Sequence, residues 1–90
     1  MPERRVVVGS KVGLHARPAA LFVQAAARQP VKITIAKDGR SPVDARSILA
    51  VLGLDVRGGE EVILAAPDGE EAEAALDELA VVVATDHDAK

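Results

Sequence analysis

The sequence predicts an α+β fold in which helices cover one face of an antiparallel sheet, and three observations carry that prediction. The spacing of apolar residues switches repeatedly between strand and helix periods, giving the element order β-α-β-β-α-β-α. The first six of these elements match a split βαβ arrangement. One central strand alternates apolar with polar residues, as a strand does when one face of its sheet is wet. No linker, repeat or low-complexity stretch interrupts the 90 residues, so a single domain is expected over 1–90.

The first strand is the short β-branched run Arg5, Val6, Val7, Val8. Residues 9–14 form a loop with two glycines. A helix follows over 16–28, where Ala19, Phe22, Val23 and Ala26 recur at i, i+3, i+4 and i+7. Pro18 suits a first helical turn, whose N–H groups have no helical partner, and Pro30 stops the helix. Val31, Ile33 and Ile35 alternate with Lys32, Thr34 and Ala36, the half-buried strand. Asp38-Gly39 is a turn into a return strand over 40–43, and Pro42 confines that strand to an edge or a short length. Ser47 caps a short helix holding Ile48, Leu49, Val51 and Leu52. Gly53 and Gly58-Gly59 close that region, and 61–66 is the last strand. Asp68 and Glu71 have capping-box spacing before a final helix with Ala72, Leu76, Leu79 and Val83 on one face. Glu70, Glu71 and Glu73 complement the positive end of that helix. Residues 85–90 form a polar tail expected to fray.

Composition narrows the function. A domain this small has one core and no room for an enclosed active site, so its chemistry belongs at the surface. A net charge of −3, a pI near 5.3 and a single aromatic residue argue against a nucleic-acid binder, which needs basic patches and stacking platforms. Cysteine is absent, which removes thiolate metal sites and thiol nucleophiles. His15 and His87, the latter between Asp86 and Asp88, lack metal-ligand spacing, so no metal and no cofactor are expected. The N-terminal apolar run is too short for a signal-peptide core, and 79–84 is far below the roughly 20 residues that cross a bilayer. A cytoplasmic, monomeric protein is expected.

The informative run is Gly13-Leu14-His15-Ala16-Arg17-Pro18-Ala19, where the loop meets the first helix. The opening N–H groups of a helix point outward, carry partial positive charge and bind anions. Arg17 adds a charged, planar fork of donors suited to phosphate oxygens. An imidazole, with an ordinary pKa near 6.5, offers a nucleophilic ring nitrogen at neutral pH. A phosphoryl group on that nitrogen remains transferable, because imidazole is a fair leaving group. His-x-Arg spacing alone is also that of an ordinary loop histidine beside a solvated arginine.

The run resembles the active-site signature of HPr, the histidine-containing phosphocarrier family of the bacterial sugar phosphotransferase system. The likeness continues through Arg46-Ser47-Ile48-Leu49 and Val51-Leu52-Gly53-Leu54 and spans about residues 5–83. It implies an open-faced β-sandwich, a four-stranded antiparallel sheet with three helices on one face. It also implies that His15 is phosphorylated through Nδ1, with Arg17 and the backbone N–H groups of Ala16 and Arg17 on the phosphoryl group. The implied donor is phosphorylated enzyme I, charged by phosphoenolpyruvate, and the implied acceptors are IIA components of sugar permeases. Such a carrier is a cycled reactant and no enzyme in the strict sense. Ser47 matches a serine that HPr kinase/phosphorylase modifies in some bacteria, which would bring in a transcriptional regulator; the same serine is equally a plain helix cap. Ala20, Ile48, Leu49 and Leu52 match partner-docking positions. Helical spacing alone puts Ile48 and Leu52 with Val51 near a core stripe and leaves Leu49 the better exposed.

Three departures from the family pattern bear on partner choice and rate. Val12 replaces a small polar residue near the histidine, Gln24 and Arg28 only partly reproduce a basic rim, and Ala20 is smaller than usual. Lys11, Arg28 and Arg46 are the cations available to compensate. Two other classes remain open on the residues alone: a regulatory binding module controlled through Ser47, and a split-βαβ nucleic-acid binder. The presence of His15 speaks against the first and the acidic charge against the second.

Overall fold

The computed structural model describes residues 2–9, 13–14 and 16–85. Seven elements follow in chain order: β1 (Glu3–Val7), α1 (Ala16–Ala27), β2 (Thr34–Lys37), β3 (Val43–Asp44), α2 (Ile48–Gly53), β4 (Glu61–Ala65) and α3 (Ala72–Ala84). The four strands form one antiparallel sheet in the order β1-β4-β2-β3. The last strand in sequence thus lies between the first two, the split βαβ topology expected from the pattern. Arg5 pairs with Ile63, and Ile63 in turn with Ala36.

Alternation decides which face is covered. Val6, Val62, Leu64 and Ile35 point to the helices and are buried, while Glu3, Arg5, Glu61 and Ile63 point to the bare face. Phe22, Val51, Leu76, Leu79 and Val83 close the core from the helical side. Phe22, the only aromatic residue, is fully buried at its centre. Removing that much apolar surface from water is the main favourable term in so small a domain.

Several local expectations shift. The return strand is two residues long and begins at Val43. After the Gly39 turn, closed by Arg40 N–H donating to the Lys37 carbonyl at 2.9 Å, the chain meets Pro42, which has no N–H for the ladder. Pairing starts only beyond it, with Val43 opposite Ile35 and Asp44 opposite Thr34.

Ser47 does cap α2, its Oγ accepting from Ala50 N–H at 3.3 Å. The start of α3 lies later than the Asp68 cap expected from the sequence: Glu71 occupies the cap position and makes no side-chain cap bond. A turn closed by Ala72 N–H on the Gly69 carbonyl delays the helix past the Asp68 register. Only Glu73 of the acidic trio lies in the first helical turn, and its carboxylate is engaged by Arg4 Nη2 at 2.6 Å. Arg4 also meets Asp77 at 2.7 Å, so one arginine on β1 ties the edge strand to α3.

Candidate functional site

The segment leading into α1 is anchored on both flanks. Val8 N–H donates to the Glu60 carbonyl at 2.9 Å, Gly59 N–H to the Val8 carbonyl at 3.2 Å, and Gly9 N–H to the Val83 carbonyl at 3.0 Å. Beyond the loop, Leu14 N–H donates to the Val56 carbonyl at 3.0 Å and the Leu14 side chain is buried. Gly13 has φ of +80°, and a Cβ there would lie 2.2 Å from the Val56 carbonyl oxygen and 2.6 Å from Arg57 Cα. Glycine is therefore required for its conformation and for the close backbone approach. The stretch of residues 55–60 is the platform on which Gly13 and Leu14 rest.

His15 follows Leu14 and precedes Ala16 in the chain. It lies outside the described residues, as do Lys11, Val12 and the tail carrying Asp86, His87 and Asp88. The first turn of α1 is described. Ala16 and Arg17 are exposed there, while Pro18 and Ala19 are buried and hold the turn to the core. That turn contains no acidic residue. Arg4, Arg5 and Arg57 each pair with a carboxylate, whereas among the described residues none pairs with Arg17. An exposed guanidinium without a carboxylate partner, beside outward amide donors, is an arrangement able to take an anion. Among the described residues no group of three or more His, Asp or Glu side chains is placed to hold a metal ion.

On α2 the exposures correct the stripe argument. Leu49 is 80% exposed as expected, but Ile48 and Leu52 are also exposed, at 36% and 37%. The buried line runs through Val51 and on to Leu54, and Ile48 and Leu52 lie roughly 60° and 100° around the helix from Val51. A helix this short turns only one narrow line inward and leaves three apolar side chains facing solvent. On α1, Ala20 is half-buried, and the neighbouring Leu21, absent from the sequence reading, is exposed. Its signal was available: Leu21 falls off the Ala19, Phe22, Val23, Ala26 stripe. Gln24, Arg28 and Arg46 are exposed, and Arg46 donates to the Val31 carbonyl at 3.3 Å.

A second cluster was not read from the sequence. Glu60 accepts from Arg57 N–H at 2.7 Å and from Lys37 Nζ at 3.1 Å. Lys37 Nζ also donates to the Asp55 carbonyl at 2.9 Å. The Arg57 N–H bond first, and then Lys37, hold the Glu60 carboxyl below its ordinary pKa.

Fold and site together define a small α+β open-faced sandwich with an exposed, acid-free helix start beside an anchored backbone segment. The comparisons give that class its family. The family model describing the PTS HPr component phosphorylation site matches residues 2–85. Phosphocarrier protein HPr of Streptomyces coelicolor is 61% identical over 84 residues, covering 93% of this chain and 89% of its own. HPr-like protein Crh of Bacillus subtilis is 46% identical over 83 residues, covering 92% and 95%. The crystal structure of a phosphocarrier protein HPr from Bacillus anthracis superposes with a TM-score of 0.83 at 44% identity, covering 91% and 95%. The chain belongs to the HPr family, the phosphocarriers of the phosphotransferase system.

Proposed function

We propose that this chain carries a phosphoryl group on His15, taking it from phosphorylated enzyme I and passing it to IIA components of sugar permeases. The observation that carries the reading is the exposed, acid-free first turn of α1, where Arg17 has no carboxylate partner among the described residues, close behind the anchored Leu14. A neutral imidazole nitrogen attacks phosphorus while the donor's bond to phosphorus breaks, and the reverse step delivers the group to the next protein. The protein's share is positioning and charge stabilisation: Arg17 and the Ala16 and Arg17 N–H groups oppose the charge on the equatorial oxygens. A surface site suits this task, because the group must leave again.

Ile48, Leu49 and Leu52, with half-buried Ala20, are the proposed partner-docking residues, since small exposed apolar patches mark interaction sites. Ser47 is proposed as a second modification site: a phosphate there would place about −1.5 to −2 charges at the start of α2, beside that patch. An HPr kinase/phosphorylase and a transcriptional regulator would be its partners. The proposed setting is cytoplasmic and the carrying unit one chain; no described helix is long and apolar enough to cross a membrane.

Incubation with enzyme I and phosphoenolpyruvate tests the reading. The expected product carries an acid-labile, alkali-stable phosphate that is lost in His15→Ala. Undiminished label on His15→Ala refutes the assignment. Acid-stable label in the presence of a protein kinase, lost in Ser47→Ala, tests the second site.

A further inference from the structure

We propose that Glu60 and Lys37 are positioning residues for phosphoryl transfer, locking the 55–60 platform that holds the backbone immediately before His15. The inference rests on the phosphocarrier reading and adds to it two residues remote in sequence. Its basis is a continuous set of contacts. Leu14, one residue before His15, has its N–H on the Val56 carbonyl, and Gly13 is in close backbone contact with Val56 and Arg57. The backbone on either side of Val56 is held by side chains, the Asp55 carbonyl by Lys37 and the Arg57 N–H by Glu60. Glu60 accepts from Arg57 N–H while Glu60 N–H donates back to the Arg57 carbonyl at 3.1 Å, closing the Arg57-Gly58-Gly59-Glu60 turn from both directions. Lys37, at the end of β2, reaches both Glu60 and the Asp55 carbonyl and so spans the platform on either side of Val56.

The position of Val56 is thereby referred to the central sheet, and the segment entering α1 inherits that reference. Asp55 gives a reason for the lock. It sits at φ +51°, a region a side-chain-bearing residue enters at a cost, so the platform needs outside bonds to hold its shape. Neither Glu60 nor Lys37 has to touch the phosphoryl group. Their effect passes through Val56 to Leu14, and misplacement of reacting groups by about 1 Å slows a reaction up to about a hundredfold.

The test uses full-length Glu60→Ala, Glu60→Gln and Lys37→Met. Glu60→Ala and Lys37→Met are expected to lower kcat for phosphorylation by enzyme I about tenfold, with KM changing less than about twofold. Leu14 amide exchange, followed by NMR, is expected to quicken about tenfold in both. Glu60→Gln keeps an oxygen for the Arg57 N–H and is expected to recover most of the rate. A general loss of structure would quicken exchange throughout the core and would not be rescued by glutamine. Unchanged kcat together with unchanged Leu14 exchange overturns the inference. Should Glu60→Ala fail to fold, Lys37→Met decides the matter. A wild-type protein that takes no label defeats the phosphocarrier reading instead, while the Leu14 exchange still judges the lock.

Discussion

Gly13→Ala and Gly39→Ala form a matched pair that isolates the energetic weight of the loop contact. Both glycines have nearly the same positive φ, +80° and +81°. Giving either a side chain costs roughly 1–2 kcal/mol in that left-handed region. Their surroundings differ completely: nothing lies within 4 Å of a Cβ at Gly39, whereas one at Gly13 would stand 2.2 Å from the Val56 carbonyl oxygen. That oxygen accepts from Leu14 N–H, so relieving the overlap by moving the backbones apart stretches or breaks the bond. Losing it in a buried setting costs about 1 kcal/mol, and displacing buried Leu14 adds to this. The expected losses are about 1 kcal/mol for Gly39→Ala and about 3 kcal/mol for Gly13→Ala. A domain of this length has roughly 5–13 kcal/mol in hand, so both variants still fold. Urea unfolding with a shared m-value should separate them by about 2 kcal/mol, and melting by about 10 °C. Equal destabilisation of the two would refute the claim that close approach, beyond backbone conformation, explains glycine at position 13.

Ser47→Ala should lower stability by about 1 kcal/mol or somewhat less, the 3.3 Å cap bond being long, as read from the urea midpoint. Leu49→Asp should leave stability within about 0.5 kcal/mol, because the side chain is 80% exposed, yet raise KM for enzyme I about tenfold; an unchanged KM would remove Leu49 from the docking surface. Glu60 has a lower pKa folded than unfolded, so the folded state binds its proton less readily. Its contribution is complete above the ordinary value of 4.5 and fades as pH falls through the folded value. Denaturant midpoints from about pH 6 to about pH 3 should therefore fall less steeply in Glu60→Gln than in the wild type; parallel curves would refute the assignment.

Residues whose role depends on near neighbours in the chain could be read before any fold was known. Alternation placed Ile33 and Ile35 in the core, the helical period placed Phe22, Leu76, Leu79 and Val83, and Ser47 was recognised as a cap. Glycines flanking the loop and the His15-Ala16-Arg17-Pro18 run are what point to the proposed site, since helix-start geometry is local. Boundaries failed where local signals competed with the sheet. Pro42 delayed β3, and the Gly69–Ala72 turn displaced the cap of α3 from Asp68 to Glu71.

Patterning alone determined the element order and the buried stripes and nominated the residues of the proposed anion site, because dihedral preference, side-chain period and donor chemistry act over a few residues. Only the folded chain decided that Ile48 and Leu52 stand exposed, that Arg4 of the edge strand ties down α3, and that Lys37 and Glu60 brace the platform under Leu14. Those outcomes depend on which distant segments meet. Loop closure and sheet register set those meetings through the whole core at once, and no short window of sequence contains them.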